Sequence, residues 1–449
     1  MNKKKIKMTI DFYRYLFFLK KKEGISLIID LSIFGVSLIS VIHNNVNLKH
    51  IDLTNFFIII IFVFSLFNSI WDTIGKIKEI QSFTGKDNHI KINMEPKQTI
   101  IKQDCAFKLK DVKYLNKNDL DFENINVDKI HGFYAMRSIR LNKYLWDNSM
   151  KLEIDNNKRE KVKKFILKNK EIVAPFFQYK YYKSRKNDQY FFNENKLCMA
   201  NDMCCDQDTV RCYKSSYYNS FLTNEICMVV LKRIEDATVI YDASNFYPCE
   251  YNLRYKTYCV QPIAKSEMNN HIGVSTLAIT KDNYIVLRMQ NDKSQQNKEK
   301  FVPTGSGSCN WSDRKIKSFT NTIEYAMKRE LWEENGDKKI SPNADKVGET
   351  KILGFFRWLE RGGKPEFVGI TKLNCNLDAM EIDTDELKNI SNSIDMDALN
   401  IDNIKDIPEI ISDIRNYDNI SVPLYMCLDA LEIYYNERPD ELKNFLNFQ

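Results

Sequence analysis

The stretch "KRELWEENG", residues 328–336, combines three glutamates and two basic residues with an Asn-Gly ending. Glu330, Glu333 and Glu334 are spaced i, i+3 and i+4, so on a helix of 3.6 residues per turn their carboxylates share an arc of about 100°. Three like charges at this spacing repel one another, and a divalent cation would relieve the repulsion. Hard Mg²⁺ prefers carboxylate oxygens of this kind.

Basic residues next to these acids allow two interpretations. Arg329 lies four residues before Glu333, close enough to orient that carboxylate without taking it from a metal. The alternative is a solvated helix end, in which the acids interact only with Lys328, Arg329 and Lys338. The residues on either side of the stretch help to decide between the two.

The flanking sequence predicts strands, a loop and a helix in succession. Residues 273–290 alternate like two strands joined at residues 281–283, which is typical of a β-hairpin. Residues 301–313 are rich in Gly and Ser and predict a loop. A helix is expected over about residues 320–335, with Gly336 as its C-terminal stop. Two further strands are predicted at "KILGFFRWLE" and "EFVGITKLN".

In this context "RELWEENG" resembles the core of the Nudix box, G-x5-E-x7-R-E-U-x-E-E-x-G-U, in which U is aliphatic. The residues that match are Arg329, Glu330, Leu331, Glu333, Glu334 and Gly336. The resemblance covers roughly residues 262–449. It implies an α/β Nudix fold, with a mixed sheet between helices.

The resemblance also implies a chemistry. Glu330, Glu333 and Glu334 would bind Mg²⁺ or Mn²⁺, and Arg329 would brace the helix through Glu333. One of the glutamates would activate water against a nucleotide pyrophosphate. A solvated helix end requires none of these roles.

Three positions depart from the box. Lys315 stands in place of its first Gly, Asn321 in place of its first Glu, and Asp337 in place of an aliphatic residue. A Gly-rich segment lies upstream instead. These departures affect a full hydrolytic rate more than they affect metal binding. The glycines expected to contact a bound cofactor are Gly305, Gly307 and Gly336.

Two apolar runs near the start of the chain predict a transmembrane hairpin. Residues 25–42 hold one charge and residues 56–71 hold none, and roughly 20 residues span a bilayer core. We therefore expect a basic segment at 1–23 and a two-helix hairpin at 24–73. A signal peptide would have a single apolar run and a cleavage site. The core hairpin of a soluble protein is disfavoured, because the Phe/Ile run lacks a polar face.

The cations around these runs predict the topology. By the positive-inside rule both ends of the hairpin face the cytoplasm, since the connecting loop has only Lys49. The soluble regions are therefore expected in the cytoplasm, with the eleven Cys reduced. The cations outside the loop are Lys3, Lys4, Lys5, Lys7, Arg14, Lys20, Lys21, Lys22, Lys76 and Lys78.

Asp30 is the charge inside the first apolar run, where Ser32, Ser37 and Ser40 follow it. A carboxylate in a membrane core is costly unless it faces a partner helix or water, so it suggests self-association or a pore lining. The alternative is that Asp30 lies near the interface and stays hydrated.

Residues 80–260 predict a cytosolic α+β region of unknown role, with a surface helix over 155–170. Residues 178–192 interleave bases with aromatics. They favour a strand or loop with a packed Tyr-rich face, and the alternative is a surface that stacks nucleobases.

The net charge of +6 is too small to indicate duplex nucleic acid binding. The spacing of four nearby cysteines does not fit a zinc site. These are Cys198, Cys204, Cys205 and Cys212.

The combination of a hairpin and a Nudix-like region resembles the two-transmembrane Nudix effectors of CBASS, the bacterial anti-phage systems that signal through cyclic oligonucleotides. The resemblance implies a location in the bacterial inner membrane and a nucleotide second messenger that binds the cytosolic part. It also implies that the hairpins then form a homo-oligomer that disrupts the lipid bilayer. The alternative is a membrane-anchored pyrophosphohydrolase that acts on a nucleoside diphosphate derivative. A structural membrane protein without ligands is a third interpretation, disfavoured by the three glutamates in register.

Overall fold

The computed structural model describes most of the chain from residue 133 onward and parts of the chain before it. The described residues are 3–20, 29, 32–36, 38–39, 42, 53–82, 92–96, 122–127 and 133–448, with gaps at 206, 234–235, 237, 243–245, 253–256, 291–299, 316, 336–339, 382–386, 388–397 and 418. The chain forms two compact units. The first comprises Met1–Glu95, Leu167–Ser184 and Val230–Asp242, and the second comprises Pro96–Ile166, Arg185–Val229 and Ala243–Gln449.

The described elements are helices, together with strands that are two to eleven residues long. The helices are α1 Lys3–Leu19, α2 Leu53–Ser82, α3 Ile139–Asp147, α4 Asn157–Lys168, α5 Lys170–Lys186, α6 Tyr217–Ser220, α7 Phe319–Glu334, α8 Ile407–Arg415, α9 Val422–Glu437 and α10 Pro439–Phe445. The strands are β1 Ile92–Pro96, β2 Phe122–Val127, β3 Phe133–Ser138, β4 Lys151–Ile154, β5 Asn195–Met199, β6 Thr209–Ser216, β7 Val229–Arg233, β8 Val239–Asp242, β9 Cys249–Asn252, β10 Thr257–Val260, β11 Gly273–Ile279, β12 Tyr284–Val286, β13 Arg288–Met289, β14 Phe301–Val302, β15 Gly305–Ser308, β16 Gly348–Trp358, β17 Lys364–Leu373 and β18 Ala398–Asn400.

One apolar helix stands out in the first unit. Within the described residues, Phe56–Gly75 of α2 is the segment long and apolar enough to cross a membrane by length and composition, and 11% of it is buried. Phe34 of the first apolar run stacks on Phe62 of α2, with ring centroids 5.4 Å apart. Ser32 is an exposed helical residue. The two-helix hairpin stays a prediction, because much of its first run lies outside the described residues, including Asp30, Ser37 and Ser40.

The aromatic and basic stretch over 178–192 is helical at 178–186, where the predicted strand or loop is wrong, and forms a turn and loop at 187–192. The helical part belongs to α5, whose buried residues include Val173, Phe177, Tyr181 and Ser184. These positions recur at helical spacing, and burial of that face outweighs the low helix propensity of aromatic residues. The Tyr181 ring stacks on Phe12 of α1 at 3.7 Å.

The second unit is built on a mixed sheet with the order β18-β12-β11-β17-β16-β3-β2, and β15 pairs with β11 off this path. β11 and β17 run parallel, whereas the other six strand pairs described in this sheet are antiparallel. The predicted hairpin corresponds to β11 and β12, in register at Ala278 and Val286. The two strands predicted farther along the chain correspond to β16 and β17.

Helices cover both faces of this sheet, so the predicted mixed sheet between helices is confirmed. On one face α7 packs Ile323 and Met327 against Val274 and Phe367 of the sheet. On the other face the C-terminal helices form a second core with the sheet. That core includes Leu277, Phe356, Val368, Ile411, Leu424, Leu428 and Leu431.

The structure divides the chain differently from the predicted boundaries at 80 and 262. β3 pairs with β16 at Phe356–Trp358, and β2 pairs with β3, so Phe122–Val127 and Phe133–Ser138 extend the same sheet as the C-terminal strands. An unpaired edge of β16 would expose backbone donors and acceptors, and β3 satisfies them. The predicted surface helix over 155–170 corresponds to α4.

The Gly/Ser-rich stretch is partly strand, so the prediction of a loop over 301–313 is wrong at Phe301–Val302 and at Gly305–Ser308. The strand Gly305–Ser308, β15, lies directly against α7. A Cβ atom on Gly305 would come within 2.7 Å of Leu331 backbone atoms, and one on Gly307 within 2.3 Å of the Glu330 carboxylate. Glycine here allows a helix and a strand to approach closely. In the sequence alone, the same glycines are also typical of a loop.

The four nearby cysteines pack in and around β5 and β6. Cys198, Cys204 and Cys212 are buried, and Cys205 is half-buried. Burial raises the pKa of the Cys212 thiol well above its ordinary value. In the part of the chain that the structure describes, no group of three His, Cys, Asp or Glu residues is arranged to hold a metal ion.

Candidate functional site

The helix α7 carries the Nudix-like residues and is fixed at both ends. At its start the Ser318 hydroxyl accepts a hydrogen bond from the Asn321 backbone N–H at 3.2 Å. At its end the buried Asn335 amide donates to the carbonyls of Thr304 and Leu331, each at 2.8 Å. These caps place α7 at Phe319–Glu334, within one residue of the predicted helix. Gly336 lies outside the described residues.

Arg329 is the centre of the site. Its guanidinium donates through Nε and Nη2 to both oxygens of Asp313 at 2.8 and 3.0 Å. It also donates to Glu333 at 2.7 Å, to Glu330 at 2.9 Å and to the Ser308 carbonyl at 3.1 Å. Burial lowers the pKa of Arg329, but the three surrounding carboxylates outweigh it and raise that pKa above its ordinary value. The predicted bracing of Glu333 by Arg329 is present.

Asp313 is a site residue that the sequence reasoning missed. Its side chain is 1% exposed and lies in the short helical turn Trp311–Asp313. Asn310 and Asp313 cap this turn reciprocally, and the Asn310 backbone N–H donates to Asp313 at 2.7 Å. The spacing Asn310-x-x-Asp313 is typical of a capping box, and it is the sequence feature that could have indicated this turn. The position where the Nudix box has its first Glu holds Asn321, which is exposed.

The three glutamates of α7 do not share one role. Glu330 accepts the Ser308 backbone N–H at 2.9 Å, and Glu334 accepts the Ser306 backbone N–H at 3.1 Å. These two carboxylates therefore fasten β15 to α7. Glu334 is buried, whereas the Glu333 side chain is 50% exposed and pairs with Arg329.

This arrangement bears on the predicted metal. Carboxylate oxygens suit Mg²⁺ or Mn²⁺ in chemistry. In the described structure, however, an oxygen of Glu330 and an oxygen of Glu334 are engaged by backbone amides, and the acids of α7 do not form a three-ligand group. The role of these glutamates as metal ligands stays a prediction. Of the glycines expected at the site, Gly305 and Gly307 lie in β15 beside α7.

The pKa values of two acids of α7 are raised above their ordinary value. Partial burial raises the pKa of Glu333, the Arg329 charge lowers it, and the Glu330 charge raises it again. Burial raises the pKa of Glu324 to about 7, a value that the nearby cation Lys328 moderates. Both carboxyl groups therefore hold their protons more tightly than an exposed glutamate.

A second buried polar cluster lies at the start of β11, on the sheet face opposite α7. Lys364 pairs with Glu366, whose carboxylate fills the space above Gly273, and Arg361 pairs with Glu225. Burial lowers the pKa of Lys364 to about 8, although Glu366 opposes the shift. Burial also lowers the pKa of His271 well below its ordinary value. No motif or periodicity in the sequence predicted this cluster.

Replacement of Asp313 by Ala should destabilise the protein by about 3–5 kcal/mol, because it leaves the buried Arg329 cation without its bidentate partner. Urea unfolding of the full chain in detergent measures the change. The matched control is Asp345→Ala, which breaks an exposed ion pair with Lys315 at 3.4 Å and should cost less than about 1 kcal/mol. Equal losses in the two variants would contradict the bracing role.

Replacement of Glu324 by Gln should change the pH dependence of stability. The folded pKa of about 7 exceeds the ordinary value, so this group favours folding below its unfolded pKa, and that contribution is lost as the pH rises toward about 7. The variant should therefore be more stable than the wild type at pH 8 by about 1–2 kcal/mol, and close to it at acid pH. Thermal unfolding across this range tests it, with exposed Glu153→Gln as the control that should track the wild type.

Comparisons with known proteins place few constraints on the chain. No protein-family model matches it, and no curated protein matches it. Nine chains of solved structures match. One is the MutT protein from Methanosarcina mazei Go1, which is 14% identical, with 37% of this chain and 95% of that chain covered and a TM-score of 0.24. The Nudix prediction therefore continues to rest on the residues of α7 from Arg329 to Glu334.

Proposed function

We propose that the protein is a membrane effector of a bacterial antiviral system, in which a cytosolic Nudix-like region binds a nucleotide second messenger, a cyclic oligonucleotide. Ligand binding would then favour a homo-oligomer, whose hairpins disrupt the inner membrane. The apolar, mostly exposed segment Phe56–Gly75 supports the membrane part of this proposal. The Nudix-like residues of α7 support the nucleotide part.

One observation favours a receptor over an enzyme. Glu330 and Glu334 accept backbone N–H groups of β15, so two of the three glutamates serve to hold a strand. A metal would have to share these two carboxylates with the strand, and this sharing suits a binding surface better than a catalytic centre. If Mg²⁺ or Mn²⁺ binds, Glu330, Glu333 and Glu334 are the residues that would hold it, and the ion would supply electrostatic stabilisation of phosphate groups.

The alternative is the membrane-anchored pyrophosphohydrolase. The half-exposed Glu333, braced by Arg329, is the observation that favours it, because a side chain in that position is accessible to a nucleotide phosphate. In that interpretation the substrate is a nucleoside diphosphate derivative. Water would attack one phosphorus of its pyrophosphate, the bridging P–O bond would break, and two phosphate-bearing products would leave.

Binding and turnover measured in the same samples separate the two functions. The full chain in detergent is offered cyclic di- and trinucleotides, ADP-ribose and nucleoside triphosphates, with Mg²⁺ or Mn²⁺. We expect a cyclic oligonucleotide to bind and to remain intact, as followed by calorimetry and chromatography. Cleavage of a linear pyrophosphate without cyclic-nucleotide binding would support the hydrolase and contradict the receptor.

The variant Glu334→Gln adds a control, since its amide oxygen can still accept the Ser306 N–H. Under our proposal this variant keeps ligand-dependent toxicity in cells. Loss of toxicity together with loss of hydrolysis would instead make catalysis part of the mechanism.

A further inference from the structure

The N-terminal helix α1 has two apolar faces. The first is buried and packs on α5, where Phe12 lies between Phe177 at 5.0 Å and Tyr181 at 3.7 Å. The hydroxyl of Tyr181 also donates to Thr9 at 3.2 Å. This face consists of Met8, Phe12, Tyr15, Leu16 and Leu19. Packing within the first unit therefore accounts for these residues, but not for the other apolar residues of α1.

The second face is exposed. Ile6, Ile10, Tyr13 and Phe17 have exposed fractions of 38%, 59%, 48% and 45%. Their spacings of four, three and four residues confine them to an arc of about 60° at 3.6 residues per turn. A helix face in water normally carries polar residues, and a contiguous apolar stripe indicates a binding surface. We call these four residues the outer stripe.

The charges around the outer stripe indicate what covers it. Lys3, Lys7 and Arg14 are exposed and lie within an arc of about 40° beside the stripe. Asp11 is the one acid among residues 3–20, which carry six cations, so this segment has a net charge of +5 (6 − 1). An apolar stripe bordered by cations is the pattern of a helix that lies in a membrane interface and meets anionic headgroups.

The position of α1 in the chain favours the same partner. Phe17 is seven residues before residue 24, where the predicted hairpin begins, and an extended link of that length reaches about 25 Å. If the hairpin spans the membrane, the outer stripe cannot be far from the bilayer surface. A second copy of the chain would explain the apolar stripe, but it would not explain the cations beside it.

We propose that the outer stripe of α1 lies in the headgroup region of an anionic bilayer, with α1 parallel to the membrane surface on the cytoplasmic side. This inference rests on the proposed membrane anchorage. It adds a lipid-binding surface to a segment expected from the sequence to be only a basic terminus. Because the buried face of α1 packs on α5, α1 would then connect α5 to the membrane surface.

Photo-crosslinking of the full chain tests this. The chain is reconstituted in phosphatidylcholine vesicles with or without phosphatidylglycerol, and p-benzoylphenylalanine replaces either Tyr13 on the outer stripe or Tyr15 on the buried face. We expect lipid adducts at Tyr13 in anionic vesicles to exceed those at Tyr15 by at least about fivefold, and to fall at 0.5 M salt or in neutral vesicles. The Tyr15 probe should give adducts within the protein in every condition.

Two results would overturn the proposal. Adducts from Tyr13 to a second copy of the chain would make the outer stripe a protein interface. The cations would have no role if the Tyr13 probe gave equal amounts of lipid adduct in neutral and anionic vesicles at all salt concentrations. Extraction of the same vesicles with alkaline carbonate distinguishes a failure of this inference from a failure of the proposed function, because an unanchored chain would leave the vesicles altogether.

A paired substitution provides a second measurement. Ile10→Asn with Phe17→Asn makes the outer stripe polar and leaves the buried face unchanged. The thermal unfolding midpoint should stay close to that of the wild type, while lipid adducts at Tyr13 in anionic vesicles fall by at least about threefold. Unchanged adducts would contradict the proposal.

Discussion

The buried guanidinium of Arg329 holds together three neighbouring segments of the C-terminal half of the chain, the turn at Trp311–Asp313, the strand β15 and the helix α7. A cation with so little exposure is stable only where carboxylates and carbonyls surround it. Asp313 supplies one of those charges from the turn before α7, and Glu330 and Glu333 supply two from α7 itself. The Ser308 carbonyl of β15 accepts a further hydrogen bond. The requirement therefore ties the turn at Trp311–Asp313 and the strand β15 to the helix α7.

Two of the acids that resemble metal ligands have a structural role, because buried polar groups need hydrogen-bond partners. Once β15 lies against α7, its backbone N–H groups face the helix and need acceptors, and Glu330 and Glu334 provide them. Glycines at 305 and 307 keep that approach possible. The half-exposed Glu333 is the glutamate that remains most accessible to a ligand. Two of the three carboxylates therefore stabilise the contact between β15 and α7, and this observation supports the proposed receptor function over the alternative hydrolase.

Local sequence pattern predicted much of this region. The alternating residues of β11 and β12 and the helical spacing of α7 depend on short-range periodicity, and both elements lie close to their predicted positions. The pattern did not reveal Asp313, because its contact with Arg329 joins residues sixteen apart through a turn outside the box. It also made β15 look like a loop, since glycine can signal either a flexible link or a close approach. The helix α5 was missed for a third reason: its aromatic residues favour strands, and only its packing against α1 shows why it is helical.

The most direct test of this account is amide hydrogen exchange at Ser306 and Ser308 in the full chain, measured without divalent metal. If Glu330 and Glu334 hold β15, both amides exchange slowly in the wild type. Exchange at Ser306 then accelerates in Glu334→Ala, while a surface control such as Glu153→Ala leaves both rates unchanged. Fast exchange in the wild type that slows only when Mn²⁺ is added would contradict the account, because the glutamates would then serve the metal first.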